Sequence, residues 1–135
     1  MTTPAATNRP HKVAVIDDDP DALRTAERVL NLAGFEVVTY GAAHSRLPFL
    51  LRETPDVVLL DVNMPLVSGD EICRIMRENP LLAHIPVVFF SSNDETTLRT
   101  MVSESGAAGY ITKSEIGLDL GRRLKRILGR TRVSA

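Results

Sequence analysis

The stretch Asp56-Val57-Val58-Leu59-Leu60-Asp61 decides the fold. Its four consecutive apolar residues predict a strand that is buried on both faces, which is typical of a parallel sheet covered by helices on each side. Similar short runs occur at 12–16 and 86–90, and each of them also stops at polar residues. The fold therefore rests on several buried strands that end in chemically reactive side chains.

Between these runs the sequence alternates regularly between strand and helix patterns. We predict strands at 12–16, 35–40, 56–61, 86–90 and 109–112. Helices are expected after Asp19 up to Gly34, at 42–53 with Pro48 shortening or kinking it, between Gly69 and Pro80, and at 94–105 and 115–129. Such alternation indicates an open α/β sandwich with a parallel sheet.

Length and composition limit what the chain can be. Its 135 residues fit one domain, which we place at 12–129 between a flexible N-terminal tail at 1–11 and a C-terminal tail at 130–135. A lone cysteine cannot form an internal disulfide, and no apolar run approaches the length of a membrane span. With no secretory signal at the N-terminus, we expect a cytoplasmic protein.

The predicted strand ends collect polar side chains. Asp17 and Asp18 follow the first strand, Asp61 ends the third, Ser91 follows the fourth and Lys113 the fifth. Ligands of parallel α/β sheets bind outside the carboxyl ends of the strands, so these groups should share one rim. Two carboxylates ~4 Å apart at an effective dielectric constant near 20 repel by about 4 kcal/mol, which favours a bound cation such as Mg²⁺.

Four motifs, in order along the chain, resemble the receiver domain of two-component response regulators. They are Val15-Ile16-Asp17-Asp18-Asp19-Pro20, then 56–65 followed by Ser68-Gly69, then Phe90-Ser91-Ser92, and Gly109-Tyr110-Ile111-Thr112-Lys113. The resemblance runs over 12–129. It implies a doubly wound, flavodoxin-like and CheY-like fold, with five parallel strands in the order 2-1-3-4-5 and five flanking helices.

The same resemblance implies a role for each site residue. Asp61 would accept a phosphoryl group from a histidine kinase, and Mg²⁺ (or Mn²⁺) would be held by Asp18, Asp61 and the backbone carbonyl of Asn63. Asp17 would assist the metal through water. Ser91 and Lys113 would contact the phosphoryl group. Ser91 and Tyr110 would form the conformational switch. Asn63 and Asn93 would tune the rate of dephosphorylation.

One position departs from the family pattern. The family usually follows its lysine with a proline in a cis bond, whereas Ser114 follows Lys113 here. A cis bond before a residue other than proline costs about 3 kcal/mol, so we expect a trans bond and an altered loop.

The function implied is a stand-alone, phosphorylation-controlled switch rather than an enzyme. Its output would pass through the fourth helix, fifth strand and fifth helix to a partner protein. Alternatives are a phosphorelay shuttle to a histidine phosphotransfer protein, or a receiver cut from a longer regulator. An aspartyl phosphatase is disfavoured because Asn63 replaces the second acid it needs, and a flavodoxin-like nucleotide module because the first turn lacks a glycine-rich loop.

Two helices carry further expectations. The helix at 94–105 is rich in Thr and Ser, which form helices poorly, so we predict that it shifts on phosphorylation. The net charge of −1 hides a basic C-terminus, since 121–135 contains six basic and no acidic residues. The basic side of the last helix is either simply exposed to solvent or a docking surface for an acidic or nucleotide ligand. The candidate contact residues are Arg122, Arg123, Lys125 and Arg126. No DNA-reading module is recognisable.

Overall fold

The computed structural model describes residues 11–41, 46–63, 69–115 and 117–133. Its strands are β1 (Lys12–Ile16), β2 (Glu36–Tyr40), β3 (Val57–Leu60), β4 (Val87–Ser91) and β5 (Gly109–Thr112). Its α-helices are α1 (Pro20–Leu32), α2 (Arg46–Glu53), α3 (Gly69–Glu78), α4 (Glu95–Ser105) and α5 (Leu118–Val133), with a short 3-10 turn at Lys113–Glu115. Residues 1–10 of the predicted tail at 1–11, residues 42–45 of the predicted helix at 42–53 and the turn at 64–68 lie outside the described residues.

All five strands are parallel and lie in the order β2-β1-β3-β4-β5, which confirms the predicted fold class. The register aligns the strand ends that carry the polar groups. Ile16 pairs with Leu60, and Ser91 pairs with Thr112. The residues that directly follow β1, β3 and β5 therefore meet at one edge of the sheet, beside the last residue of β4.

Alternate residues of the strands lie in two separate hydrophobic cores, one on each face of the sheet. The face containing Ile16, Leu60 and Phe89 packs against α2, α3 and α4, mainly through Phe49, Leu50, Ile72, Cys73, Met76 and Leu98. The opposite face packs against α1 and α5, mainly through Ala26, Leu30, Leu120, Leu124 and Ile127. The three central strands β1, β3 and β4 carry apolar residues in succession because both of their faces are covered, as predicted.

Local signals set most helix boundaries. Asp19 caps α1 by accepting a hydrogen bond from the Asp21 N–H, and Asp94 caps α4 through the Thr97 N–H. Gly106 ends α4 in the left-handed conformation, at a φ of 83°. Pro48 lies in the first turn of α2, where its missing N–H breaks no helical hydrogen bond.

The strand boundaries differ from the prediction by one residue at most, and the largest differences are at the two ends of the last helix, which takes in residues 130–133 of the predicted C-terminal tail at 130–135. The last helix runs from Leu118 to Val133 rather than from 115 to 129, since a 3-10 turn occupies Lys113–Glu115 and Gly129 does not end the helix.

The described residues contain no cis peptide bond, so the bond before Ser114 is trans as predicted. None of the helices in the described part of the chain has the length and apolarity needed to cross a bilayer.

Candidate functional site

Three aspartates meet at the carboxyl edge of the sheet. The carboxylate oxygens that Asp17, Asp18 and Asp61 offer all lie within 4.8 Å of one another. Asp17 is completely buried and Asp61 nearly so, whereas Asp18 is exposed. The cluster therefore has two carboxylates inside the protein and a third at its mouth.

Backbone N–H groups fix the orientation of the two buried carboxylates. Asp17 Oδ1 accepts a hydrogen bond from the Asp19 N–H at 2.9 Å, and Asp61 Oδ1 accepts one from the Asn63 N–H at 3.1 Å. Each is a turn in which an aspartate binds the backbone two residues further on. The second oxygen of each carboxylate is left to face the cluster.

Lys113 provides the positive charge that this cluster needs. Its Nζ lies 2.8 Å from Asp17 Oδ2 and 3.8 Å from Asp61 Oδ2. Burial lowers the pKa of Lys113, but the contact with Asp17 and the charge of Asp61 outweigh it and hold that pKa above its usual value. The lysine is thus a permanent cation, bound more closely to Asp17 than to Asp61.

Asp61 remains under electrostatic strain despite this lysine. Burial, and to a smaller extent the charge of Asp17, raises the pKa of its carboxyl to about 6, against the opposing effects of the Asn63 hydrogen bond and the Lys113 charge. A single ammonium group shared by two buried carboxylates does not fully neutralise them. A further cation would favour the ionised form of Asp61.

The donor set fits a hard divalent cation. Asp17 Oδ2 is buried and, apart from its ion pair with Lys113, accepts no hydrogen bond of ordinary geometry from the described residues. Oxygen ligands from one or two carboxylates, with water completing the shell, are what Mg²⁺ prefers. Asp18 and Asp61 can supply such oxygens, and the Asn63 loop lies next to them.

A network of side chains from β4 and the loop after β3 covers one side of Asp61. Asn63 Nδ2 donates to Ser91 Oγ at 3.1 Å and to Asn93 Oδ1 at 2.8 Å. Ser91 is completely buried, and its hydroxyl also accepts the Asn93 N–H at 3.0 Å. The sequence placed these three residues near the rim but gave no signal of the asparagine bridge, because hydrogen bonds between side chains of different loops leave no pattern.

The backbone behind Asp61 is closely packed. A Cβ built on Gly69, the first residue of α3, would lie 2.6 Å from Val62 Cα and 3.0 Å from the Asp61 carbonyl oxygen. Only glycine lets the helix begin this close to the loop. The position of Asp61 is therefore fixed by the start of α3 as well as by β3.

The chain matches known proteins over almost its whole length. A family model for the response regulator receiver domain matches residues 13–125. The chain belongs to this family. Protein RcaC of Microchaete diplosiphon is 36% identical over 126 residues, which cover 93% of this chain and 19% of that protein. The alkaline phosphatase synthesis transcriptional regulatory protein PhoP of Bacillus subtilis is 29% identical, over 92% of this chain and 51% of that protein.

Solved structures show the same architecture. A putative response regulator from Chloroflexus aurantiacus superposes with a TM-score of 0.81 at 29% identity, covering 90% of this chain and 99% of that one. In contrast, the chain spans about half the length of PhoP and about a fifth of RcaC. Receiver domains are signalling switches rather than enzymes, and response regulators act with histidine kinases and downstream targets.

Within this receiver domain, Tyr110 connects the sheet to α4. Its hydroxyl donates to Glu95 Oε1 at 2.8 Å, and Glu95 is the first residue of α4. The sequence singled out Tyr110 but not Glu95, because an acidic residue in the first turn of a helix is already explained by the helix dipole. The described contacts thus run from Ser91 through Asn93 to the start of α4, and from there to β5.

The basic residues of α5 are not a uniform face. Arg122 pairs with Asp119 at 3.3 Å, and Lys125 donates to the Ala33 carbonyl at 2.9 Å. Arg123 and Arg126 instead border a groove between α5 and β5. The four predicted surface residues therefore divide into two pairs with different surroundings.

Proposed function

We propose that this chain is a phosphorylation switch in which Asp61 accepts a phosphoryl group from the phosphohistidine of a histidine kinase. The observation that carries the proposal is the cluster itself. A nearly buried carboxylate with a raised pKa lies between a lysine and two further aspartates, at the carboxyl edge of a receiver fold. Phosphoryl transfer needs positioning and charge neutralisation, and these residues supply both.

The transfer uses one oxygen of Asp61 as the nucleophile. A new bond forms between this oxygen and phosphorus while the bond from phosphorus to the histidine nitrogen breaks, and its electron pair remains on the imidazole. Mg²⁺, held by Asp18, Asp61 and the Asn63 carbonyl with Asp17 acting through water, would neutralise charge on the phosphoryl oxygens. Lys113 is placed to neutralise another oxygen, because its Nζ already lies 3.8 Å from Asp61 Oδ2.

Return to the resting state requires hydrolysis of the aspartyl phosphate. Water must approach phosphorus past the side chains of Asn63 and Asn93, whose amide groups are joined at 2.8 Å. We infer that this pair sets the rate of hydrolysis by controlling water access. Neither amide is an acid or a base, which supports a slow switch rather than a phosphatase.

The output would pass through Ser91 to the surface made by α4, β5 and α5. A phosphoryl group on Asp61 offers a charged acceptor to the Ser91 O–H, which donates in neither of the bonds that Ser91 Oγ accepts from Asn63 and Asn93. Movement of Ser91 toward the phosphoryl group would lengthen those two bonds. Asp94 and Glu95 follow directly and begin α4, whose fully or nearly buried side chains are Leu98 and Ser105. Such a weakly anchored helix is suited to shift, and Tyr110 would follow it through Glu95.

Phosphorylation by a small-molecule donor tests this function directly. The chain is incubated with acetyl phosphate and Mg²⁺, and its intact mass is measured. We expect one phosphoryl adduct, which is lost in Asp61→Ala and on chelation of the metal. Asp56→Ala is the matched control, because Asp56 flanks the opposite end of the same strand.

Two results would contradict the proposal. One is the absence of an adduct in the wild-type chain, and the other is an adduct of undiminished yield in Asp61→Ala. Loss of the adduct in Asp56→Ala as well as in Asp61→Ala would point to misfolding, which circular dichroism of both variants distinguishes from loss of the acceptor.

A further inference from the structure

We propose that a pocket at the amino edge of the sheet binds a small organic acid, with the carboxylate of the acid at Arg77 and its apolar body on Ile85 and Leu128. The pocket lies at the opposite end of the strands from the three aspartates and shares no residue with them. The proposal therefore does not depend on phosphorylation of Asp61.

The starts of the parallel strands form one wall of this pocket. The pocket has a volume of about 400 Å³, and pockets that bind small molecules have roughly 300–1,000 Å³. The Asp56 N–H bonds the Lys12 carbonyl at 2.8 Å. The Ala108 N–H bonds the Val87 carbonyl at the same distance, so the hydrogen bonds of the sheet hold this wall in place. Four lining residues directly precede β1, β3, β4 and β5, namely His11, Asp56, Pro86 and Ala108.

The lining offers apolar contact to the body of a ligand. Ile85 is 4% exposed and Leu128 is 6% exposed, so both side chains are anchored in the packed interior. Ala83, Pro86 and Ala108 add further apolar surface. Apolar walls with a few polar groups are the usual composition of small-molecule sites. A ligand with an apolar body would therefore gain more from this pocket than a bare ion.

Arg77, in the last turn of α3, is positioned by the glycine that ends α4. A Cβ built on Gly106 would lie 2.9 Å from Arg77 Nε and 3.3 Å from Arg77 Cζ, so the guanidinium group lies against the Gly106 backbone. A side chain at Gly106 would displace it. A guanidinium group that is packed in this way loses less conformational freedom on binding a ligand than an unsupported one does.

The charge of Arg77 is available to a ligand. Arg74 lies on the same helix and pairs with Asp70 at 3.6 Å. Arg77 forms no such pair with any residue that the structure describes, and its side chain is exposed. A guanidinium group binds a carboxylate through two parallel hydrogen bonds, and these charge-assisted bonds are stronger than neutral ones.

The other polar groups of the pocket fit a ligand with one negative charge. Asp56 Oδ2 already accepts the Lys12 N–H at 2.7 Å, and the His84 imidazole can donate a further hydrogen bond to a ligand. A ligand with several negative charges, such as a nucleoside polyphosphate, would be repelled by Asp56. The lining therefore favours a compact monocarboxylate.

The histidines of the pocket do not provide a metal site. Within the described ranges, the three aspartates at the carboxyl edge are the only group of three or more potential ligand residues whose atoms lie within 4.8 Å of one another. His11, Asp56 and His84 are therefore too far apart to share an ion, and an organic anion remains the ligand that their pocket favours.

The test uses benzoate as the acid and benzamide as its neutral analogue of the same shape. Each is titrated into the full chain, and binding is followed by amide chemical shifts. We expect benzoate to shift the signals of His84, Ile85, Gly106 and Ala108, and benzamide to leave them in place. Arg77→Gln removes the charge-assisted hydrogen bonds and should weaken benzoate binding about tenfold.

Arg74→Gln is the matched control, because it removes the same charge from the same helix outside the pocket. It should change the affinity for benzoate about twofold or less. Circular dichroism of both variants checks that they are folded. Equal weakening by the two substitutions would show only diffuse attraction and would overturn the proposal, as would benzoate shifts that centre on residues outside the pocket.

Two smaller anions test the role of the apolar walls. Acetate lacks the ring and should bind at least about tenfold more weakly than benzoate. If acetate or inorganic phosphate binds as tightly as benzoate, the apolar walls contribute nothing and the proposed ligand class is wrong. Benzoate should bind Asp61→Asn as it binds the wild-type chain, and a changed affinity would overturn the independence of the two sites.

Discussion

Two lysines of this receiver domain have similar aromatic neighbours and opposite roles. Lys113 Nζ lies 5.6 Å from the centre of the Phe90 ring, and Lys125 Nζ lies at the same 5.6 Å from the centre of the Phe35 ring. Lys113 is a quarter exposed and faces two carboxylates that are almost completely buried. Lys125 is exposed and bonds only a backbone carbonyl among the contacts described.

The difference lies in the partner rather than in the lysine. Removing charge from water is costly, so a buried carboxylate depends on its cation, whereas a carbonyl at a helix end can turn to water instead. The buried carboxylates at the carboxyl edge of the sheet are therefore incompletely neutralised, and they favour binding of a further cation. The exposed charges on α5 have a small desolvation penalty and are suited to contact with other molecules.

The largest effect is expected from replacing the lysine at the edge of the sheet. Lys113→Met leaves Asp17 buried without its cation and should lower the free energy of unfolding by about 2–4 kcal/mol at neutral pH. Lys125→Met should cost about 1 kcal/mol or less. Urea unfolding of both variants measures the contrast.

Adding Asp17→Asn to Lys113→Met sharpens the same contrast. If the loss comes from an unpaired charge, the second substitution should restore part of the stability. Equal losses in the two lysine variants, or no recovery in the double variant, would mean that the cluster is not electrostatically dependent on Lys113.

The second-largest effect is expected from Asp61→Asn, which should raise the free energy of unfolding. The pKa of Asp61 is raised to about 6 in the folded protein, mainly by burial, from an ordinary value of 3.8. Its ionisation therefore opposes folding, and the resulting loss grows between these two values as the pH rises. In a metal chelator, Asp61→Asn should be more stable than wild type by about 1–3 kcal/mol at neutral pH.

The pH profile provides the control for this gain. The advantage of Asp61→Asn should shrink as the pH falls from 6 through 3.8 and disappear below about pH 3, where the wild-type carboxyl is protonated in both the folded and the unfolded state. Saturating Mg²⁺ should narrow the difference at neutral pH, because the ion favours the folded wild-type chain. A pH-independent difference would assign the gain to something other than charge.

The smallest effect is expected on α5. Arg122→Gln and Arg126→Gln should each change the free energy of unfolding by less than about 0.5 kcal/mol, since both side chains are exposed. Thermal unfolding at low and high salt measures this. A loss comparable to that of Lys113→Met would place these arginines in the framework of the fold and break the distinction between the two regions.

Sequence patterns predicted the fold well because burial on both faces leaves a clear mark. The run at 57–60 has no polar residue, and the polar groups that follow each strand indicated the shared rim. The cap at Asp19 was also predictable from local chemistry, whereas Asp94 was predicted as the first residue of its helix and is instead the cap. Predicted boundaries were wrong where a local stop signal competed with helix packing. Gly129 was expected to end the last helix, but α5 continues through it to Val133.

Details of the site were not predictable in the same way. Nothing in the sequence indicates that Lys113 lies closer to Asp17 than to Asp61, or that Asn63 bridges Ser91 and Asn93. These distances depend on the relative placement of three loops to within an ångström. Local propensity and periodicity carry no information at that scale.

In the proposed switch, the close approach at Gly69 would give residues 61–63 a direction of movement. With Val62 Cα only 2.6 Å from where a side chain would begin, the loop has a wall on the α3 side and hydrogen-bonded side chains on the β4 side. A group that enlarges Asp61 cannot be accommodated by retreat toward α3. In the proposed switch, displacement caused by a phosphoryl group on Asp61 would therefore be directed through Asn63 and Ser91 toward α4.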